Sequence, residues 1–201
     1  MSSAESWDRV ADRYDRATAP LERRFLAASR GWVAARASGR TLEVGIGTGA
    51  NLPHYPSGLD LVGVDLSPAM LEQARGRART LGVAVDLRVG NVEELPFAAA
   101  SFDTVVCTLV LCSVPSSVDA ALAEMTRVLE PGGSLLLLDH VVSTTSPVRW
   151  AQRGLESITG KQGEYWTRRP YLHLARAGLE PVASDRLHVG VVERVHARRS
   201  H

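Results

Sequence analysis

A short apolar run, Leu42 to Val44, leads straight into three glycines at alternating positions, Gly45, Gly47 and Gly49, in the stretch LEVGIGTGANL. No other feature of the 201-residue chain restricts its fold more. Glycine at every second position lets the backbone adopt positive φ and lets a ligand touch the main chain. A tight turn built of small residues would satisfy the same pattern, so the context on either side decides what the loop is for.

That context is a regular alternation of strands and helices. RTLEVG and LDLVGVD read as short buried strands, and Ser67 caps a helix, SPAMLEQARGRART, with Pro68 at its first position. VAVDLRVG and FDTVVCTLVL give a third and a fourth strand, and a helix runs from about Ser117 to Leu129. EPGG predicts a tight turn into a fifth strand, SLLLLDHVV, and a looser segment covers 143–167. RRPYLHLARAG predicts a helix, and LEPVASDRLH with VGVVERVHAR a closing β-hairpin. Such alternation predicts an α/β domain, a mostly parallel sheet with helices on both faces. Ligands of these sheets sit at the carboxyl ends of the strands, where the glycine loop, Asp65, Asn91, Cys112 and His140 fall. Ahead of the sheet, Trp7, Val10, Tyr14, Leu21, Phe25 and Trp32 recur at helical spacing and predict one apolar face over residues 4–37. Pro20 is expected to split this segment into two helices, with Thr18 as cap and Pro20 in the first turn of the second.

Composition narrows the function classes. The chain is 45% hydrophobic and 22% charged, with a formal net charge of +1, which predicts one globular domain over 1–201 and no nucleic-acid surface. Cys107 and Cys112 share one apolar stretch, so buried free thiols in a reducing compartment are expected and no metal site is. The polar start MSSAESWDRVADRYDRA has no signal-peptide pattern, and no apolar run approaches the roughly 20 residues that span a bilayer. A soluble cytoplasmic protein without stable membrane insertion is expected.

Two ligands compete for the loop. GIGTGA satisfies G-x-G-x-x-G/A, and Asp65 lies twenty residues after Gly45, where a dinucleotide site places its ribose-binding acid. The alternative is S-adenosylmethionine (SAM), whose ammonium and sulfonium are cationic. Glu43 would supply the carboxylate that such a ligand calls for at the loop, and Asp65 could accept both ribose hydroxyls. The tyrosine–lysine pair of short-chain dehydrogenases is missing, because four residues before Lys161, the only lysine, stands Ser157.

LEVGIGTGANL, VGVDLSPAML, GNVEELPF, SFDTVVCTLVLCSV and RVLEPGGSLLLLDHV stand in the order and spacing of class I SAM-dependent methyltransferases, and most resemble the methyltransferase-11, UbiE-like group. The resemblance covers residues 8–142 and implies a Rossmann-like seven-stranded sheet in the order 3-2-1-4-5-7-6, the last strand antiparallel. It implies that Gly45, Gly47 and Gly49 line the methionine and ribose of SAM, that Asp65 binds the ribose, and that Leu66 and Met70 flank the adenine. Asn91, often Asp in relatives, and Val92 match the pair that reads the adenine edge; Thr108 would lie near the methionine moiety. Tyr14 matches an aromatic of the N-terminal helical lid, here 1–37, that closes over the cofactor in relatives; a packed helix face explains it equally.

VVCTLVLCSV, with GTGANLPHYP before it and PGGSLLLLDHV after it, is more narrowly similar to alkyl-thiol S-methyltransferases. The resemblance thus implies methyl transfer to a small, rather apolar molecule, with a thiol as the favoured acceptor. YDRATAPLERRF is reminiscent of phospholipid N-methyltransferases, so an N-, O- or C-methyltransferase of a lipid, quinone or secondary metabolite is the alternative. A SAM-binding protein without turnover is a further one. His140 is the candidate base for an acceptor that must lose a proton, although a histidine at a strand end is often only a hydrogen-bonded structural group. The segment 143–171 is the expected substrate side: Trp150, Tyr165 and Trp166 would form its apolar walls, and Cys112 would touch the substrate from the fourth strand's exit.

Overall fold

A computed structural model describes residues 3–114, 117–160 and 165–201. Lys161 therefore lies outside the described residues, as does part of the 143–171 segment. Seven strands form one sheet: β1 Arg40–Val44, β2 Asp60–Asp65, β3 Asp86–Val89, β4 Phe102–Thr108, β5 Leu129–His140, β6 Leu179–Leu187 and β7 Val192–Arg199. Their spatial order is β3-β2-β1-β4-β5-β7-β6, with β7 antiparallel to both neighbours and the other pairs parallel. The expected topology is thus the observed one.

The central strands read as continuous apolar runs because helices cover both faces. Val105, Cys107, Leu135 and Leu137 point to one side, where they pack with Leu122 and Met125 of helix α4, Val118–Val128. Val106, Leu136 and Leu138 point to the other, against Leu26 and with Val33 of helix α2, Ala27–Ala34. Helix α3, Pro68–Leu81, starts as its sequence dictates: Ser67 Oγ accepts the Met70 N–H, and Pro68 gives up no hydrogen bond in the first turn. Gly82, at φ 67°, ends it in the left-handed region.

Several local expectations fail. Helix α1, Ser3–Leu21, carries Pro20 in its last turn rather than breaking there, and a π-helical turn, Glu22–Leu26, joins it to α2. Thr18 is no cap: its hydroxyl donates to the Tyr14 carbonyl one turn back, where a threonine inside a helix satisfies itself. The wider π turn rotates the face that follows it, so Leu26 and Val33 are buried; Val10 and Leu21, which precede the turn, are exposed. EPGG lies within β5 as an irregularity in its pairing: Phe102 pairs with Leu129 and Thr104 already with Ser134, and Gly132 takes φ 77° between them. RRPYLHLARAG folds as two short 3-10 turns, Pro170–His173 and Ala175–Ala177, and ends at Gly178 in the left-handed region, φ 72°. The loose segment after β5 contains a helix, α5, Ser146–Thr159.

Candidate functional site

The carboxyl ends of β1, β2 and β4 open into a cavity of about 220 Å³, roofed by α1. Gly45 and Gly47 line it, at φ 66° and 55°. A Cβ on Gly45 would collide with Val110, and one on Gly47 would meet nothing, so the loop is both closely packed and open toward the cavity. Gly49, at φ 80°, turns instead toward Leu52 and the backbone of Ala74, and Ala50 takes its place in the lining.

Asp65 ends β2 and holds the loop. Its Oδ2 accepts the Gly47 N–H at 2.8 Å, and its Oδ1 accepts the Ser67 N–H at 2.9 Å. Burial pushes its carboxyl above the ordinary range, against the pull of these backbone donors. Leu66, Met70, Asn91 and Val92 line the same cavity. Asn91 Oδ1 accepts the Glu93 N–H, so its amide is fixed by its own turn.

Glu43 lines the cavity from beneath the loop but is buried and fully partnered. Asn51 Nδ2 donates to its Oε1 at 2.7 Å and the Tyr55 hydroxyl to its Oε2 at 2.9 Å. The same Asn51 amide donates to Thr108 Oγ1 at 2.9 Å, and its carbonyl oxygen accepts from Arg30 Nη1 at 2.9 Å. Arg30 in turn grips Glu22 through Nε and Nη2, at 2.6 and 3.1 Å. One buried polar network therefore runs from the N-terminal helices through the glycine loop to the end of β4. Burial pushes the Glu43 carboxyl up to about 7, with Tyr55, Arg30 and Asn51 resisting.

The roof is α1. Tyr14 lines the cavity together with Trp7, whose ring meets it edge-on at 6.1 Å. Burial raises the Tyr14 phenol, which stays protonated at neutral pH. Three acids on this helix reach across: Asp8 accepts the Ser67 hydroxyl at 2.5 Å and the Ala69 N–H at 3.2 Å, Asp12 accepts from Gln73, and Asp15 accepts the Thr48 hydroxyl at 2.6 Å and pairs with Arg77.

The expected acceptor side is assembled differently. His140 ends β5, and its ring stacks on Trp166 with centroids 4.3 Å apart and 18° between planes. Its Nδ1 is buried without a partner. Asp139, Cys112 and His140 meet with donor atoms within 4.8 Å of one another. The Cys112 backbone N–H donates to Asp139 Oδ2, and burial raises the Cys112 thiol far above its usual range, which keeps it protonated. Cys112, His140, Tyr165 and Trp166 are not among the residues that line the cavity; Leu109, Val110, Ser113 and Val114 are. Tyr165 carries the Arg168 guanidinium 3.5 Å over its ring. Trp150 points away altogether, 70% exposed.

Reasoning from sequence missed Trp7, Arg30, Asn51, Tyr55 and the acids of α1. The acids left a trace, since positions 8, 12 and 15 fall on one helical face. Arg30, Asn51 and Tyr55 left none, because they meet only through folding.

A methyltransferase-domain family model matches residues 42–137. A phosphatidylethanolamine N-methyltransferase of Cereibacter sphaeroides is 34% identical over 127 residues, 62% of this chain and 62% of that one. A demethylmenaquinone methyltransferase of Renibacterium salmoninarum is 33% identical over 171 residues, 79% of this chain and 69% of that one. A thiol S-methyltransferase of Rattus norvegicus is 41% identical over 103 residues, 50% of this chain and 42% of that one. The chain thus spans less than two thirds of the phosphatidylethanolamine enzyme and less than half of the thiol enzyme. Among solved structures, a SAM-dependent methyltransferase of Thermotoga maritima, described as a possible histamine N-methyltransferase, superposes with a TM-score of 0.72 at 24% identity, over 96% of this chain and 98% of that one.

Proposed function

The chain belongs to the methyltransferase-domain family of SAM-dependent enzymes, and from that premise we propose that it methylates a small, rather apolar acceptor, with a thiol favoured. SAM supplies an activated methyl group; the protein's task is to hold the cofactor, present the acceptor and keep water out. Three features of the cavity suit SAM. Gly47 leaves space where any side chain would intrude. Asp65, fixed by the Gly47 and Ser67 amides, keeps lone pairs free for a ribose diol. Glu43 can carry negative charge toward a cationic amino-acid head, its carboxyl poised at about 7.

The observation that carries the acceptor class is the apolar wall at the exit of β4. Leu109, Val110 and Val114 face the cavity, and Leu109 is held at φ 58°, an uncommon conformation for a branched side chain. An apolar wall favours an apolar acceptor. A thiol also ionises with less help than a phenol, since its ordinary pKa lies near 8.5 rather than 10. The likeness to a thiol S-methyltransferase supports the same choice. A quinone or lipid acceptor is the second reading, favoured by the likeness to the menaquinone and phospholipid enzymes. In that case His140 is the candidate base, and it would have to act from outside the present cavity lining, where its Nδ1 is buried and unpartnered.

The test is S-adenosylhomocysteine release by the purified protein from SAM and matched small aromatic thiol, phenol and amine acceptors. Turnover confined to the thiol supports S-methylation. Turnover of the phenol or amine at equal or greater rate overturns it. SAM binding without turnover of any of the three overturns the small-thiol reading and directs the search to lipid and quinone acceptors.

A further inference from the structure

Helix α5, Ser146–Thr159, is packed inside out. At 100° per residue, Gln152, Glu156 and Thr159 share the inward side. Gln152 is buried: its Oε1 accepts the Ser143 N–H at 2.7 Å, and its Nε2 donates to the Val141 and Trp166 carbonyls. Glu156 accepts both the N–H and the hydroxyl of Thr167. Polar side chains, not apolar ones, thus fasten this helix to the body. Its outward side carries Pro147, Trp150, Ala151, Gly154, Leu155 and Ile158, all exposed. Trp150 is 70% exposed, Ile158 66% and Leu155 42%. A helix that only served the fold would have the opposite arrangement, because burying this face would release roughly 2 kcal/mol for each large side chain.

The charges around the face say what covers it. Arg153 borders the face, with its guanidinium 5.6 Å from the Trp150 ring centroid, and Arg149, one turn earlier and half-buried, lies next to it toward the inward side. The helix's single acid, Glu156, is turned inward and held by Thr167, so no carboxylate of α5 faces out. An apolar strip with a tryptophan and a purely cationic border matches the boundary of an anionic bilayer, with rings and aliphatic groups among the acyl chains and guanidinium groups at the phosphates. Among the described residues, no helix is long and apolar enough to cross a membrane, so α5 lies on the surface.

We propose that the outward face of α5 docks this protein peripherally on an anionic lipid surface. The inward side of the same helix touches Trp166, which stacks on His140. Docking therefore brings the end of β5 next to the membrane, where apolar molecules concentrate. The docking itself depends on neither the acceptor atom nor turnover.

The experiment is co-sedimentation of the full chain with vesicles of phosphatidylcholine containing about one third phosphatidylglycerol, and with pure phosphatidylcholine vesicles. SAM affinity is measured in parallel as the check that each variant is folded. Binding to the anionic vesicles is expected. A Trp150→Ser/Ile158→Ser variant should bind at least about tenfold more weakly, and Arg153→Glu severalfold more weakly, both with unchanged SAM affinity. No binding of the wild type to anionic vesicles overturns the proposal, as does binding that the two variants leave unchanged. A wild-type dimer in sedimentation equilibrium that becomes monomeric in the double variant overturns it too, because the face would then belong to a second copy.

Discussion

Asp65 Oδ2 accepts the backbone N–H of Gly47 at 2.8 Å, so the residue that ends the second strand also fixes the middle of the glycine loop that follows the first. The two elements are parallel neighbours in the sheet, and this bond sets the width of the gap between them. The carboxylate therefore both shapes the cavity and faces into it.

The two roles separate in titration calorimetry. Asp65→Asn keeps one acceptor oxygen and is expected to weaken SAM binding about tenfold. Asp65→Ala removes both oxygens, frees the loop and is expected to cost on the order of a hundredfold or more. An Asp65→Ala protein with unchanged SAM affinity would show that this side chain does not hold the cofactor.

Glu43 makes stability depend on pH. Its carboxyl is pushed up to about 7 from an ordinary 4.5. Between those values the native protein keeps a proton that the unfolded chain has lost. Stability in the absence of SAM therefore falls as pH rises from about 4.5 to about 7, by an amount on the order of 3 kcal/mol, and levels off above. Glu43→Gln reproduces the protonated form and should flatten that slope in urea melts. A variant with the wild-type slope would assign the pH dependence elsewhere.

SAM should reverse the sign of that dependence at the site. A cationic head beside Glu43 favours the ionised carboxylate, so binding should tighten as pH rises toward 7, level off above it, and release a proton below it. Calorimetry in buffers of different ionisation enthalpy measures the proton count. A count of zero at pH 6.5 would place the ammonium away from Glu43.

The acids of α1 are expected to act as a latch. Asp8 binds the capping serine and the first turn of α3, and Asp15 binds Thr48 in the glycine loop. Both carboxylates are exposed, so each bond contributes only about 0.5–1 kcal/mol. Removing both in Asp8→Ala/Asp15→Ala should accelerate SAM release about tenfold in stopped-flow measurements, while the urea midpoint moves little. An unchanged release rate would mean that α1 does not gate the cavity.

His140 separates the acceptor classes. General-base catalysis is worth about a hundredfold or more for an acceptor that needs it, and little for one already ionised. His140→Ala should therefore slow a phenol about a hundredfold and a thiol no more than about threefold. Equal losses would identify the histidine as a packing partner of Trp166.

The sequence alone determined the parts that rest on local rules. The order of strands and helices follows from runs of apolar residues, from Ser67 and Ser117 as caps, and from Pro68 at a helix start. The positions of Gly45, Gly47 and Asp65 at the sheet's ligand edge follow from that order, because parallel sheets gather their loops at one end. The direction of an amphipathic helix was not local. The spacing over 4–37 marked one apolar face, but a π turn at Glu22–Leu26 rotated it, and Leu26 and Val33 went inside instead of Leu21. Of the aromatic walls expected of Trp150, Tyr165 and Trp166, Trp150 is turned to the exterior and the other two lie outside the cavity lining. Burial is a property of what lies opposite a side chain, and α5 found its partners through Gln152 and Glu156. Only the tertiary structure could join Arg30, Asn51, Glu43, Tyr55 and Thr108, which come from four separate stretches of the chain. A buried polar network is decided by which groups folding deprives of water at one place, and no spacing along a sequence records that.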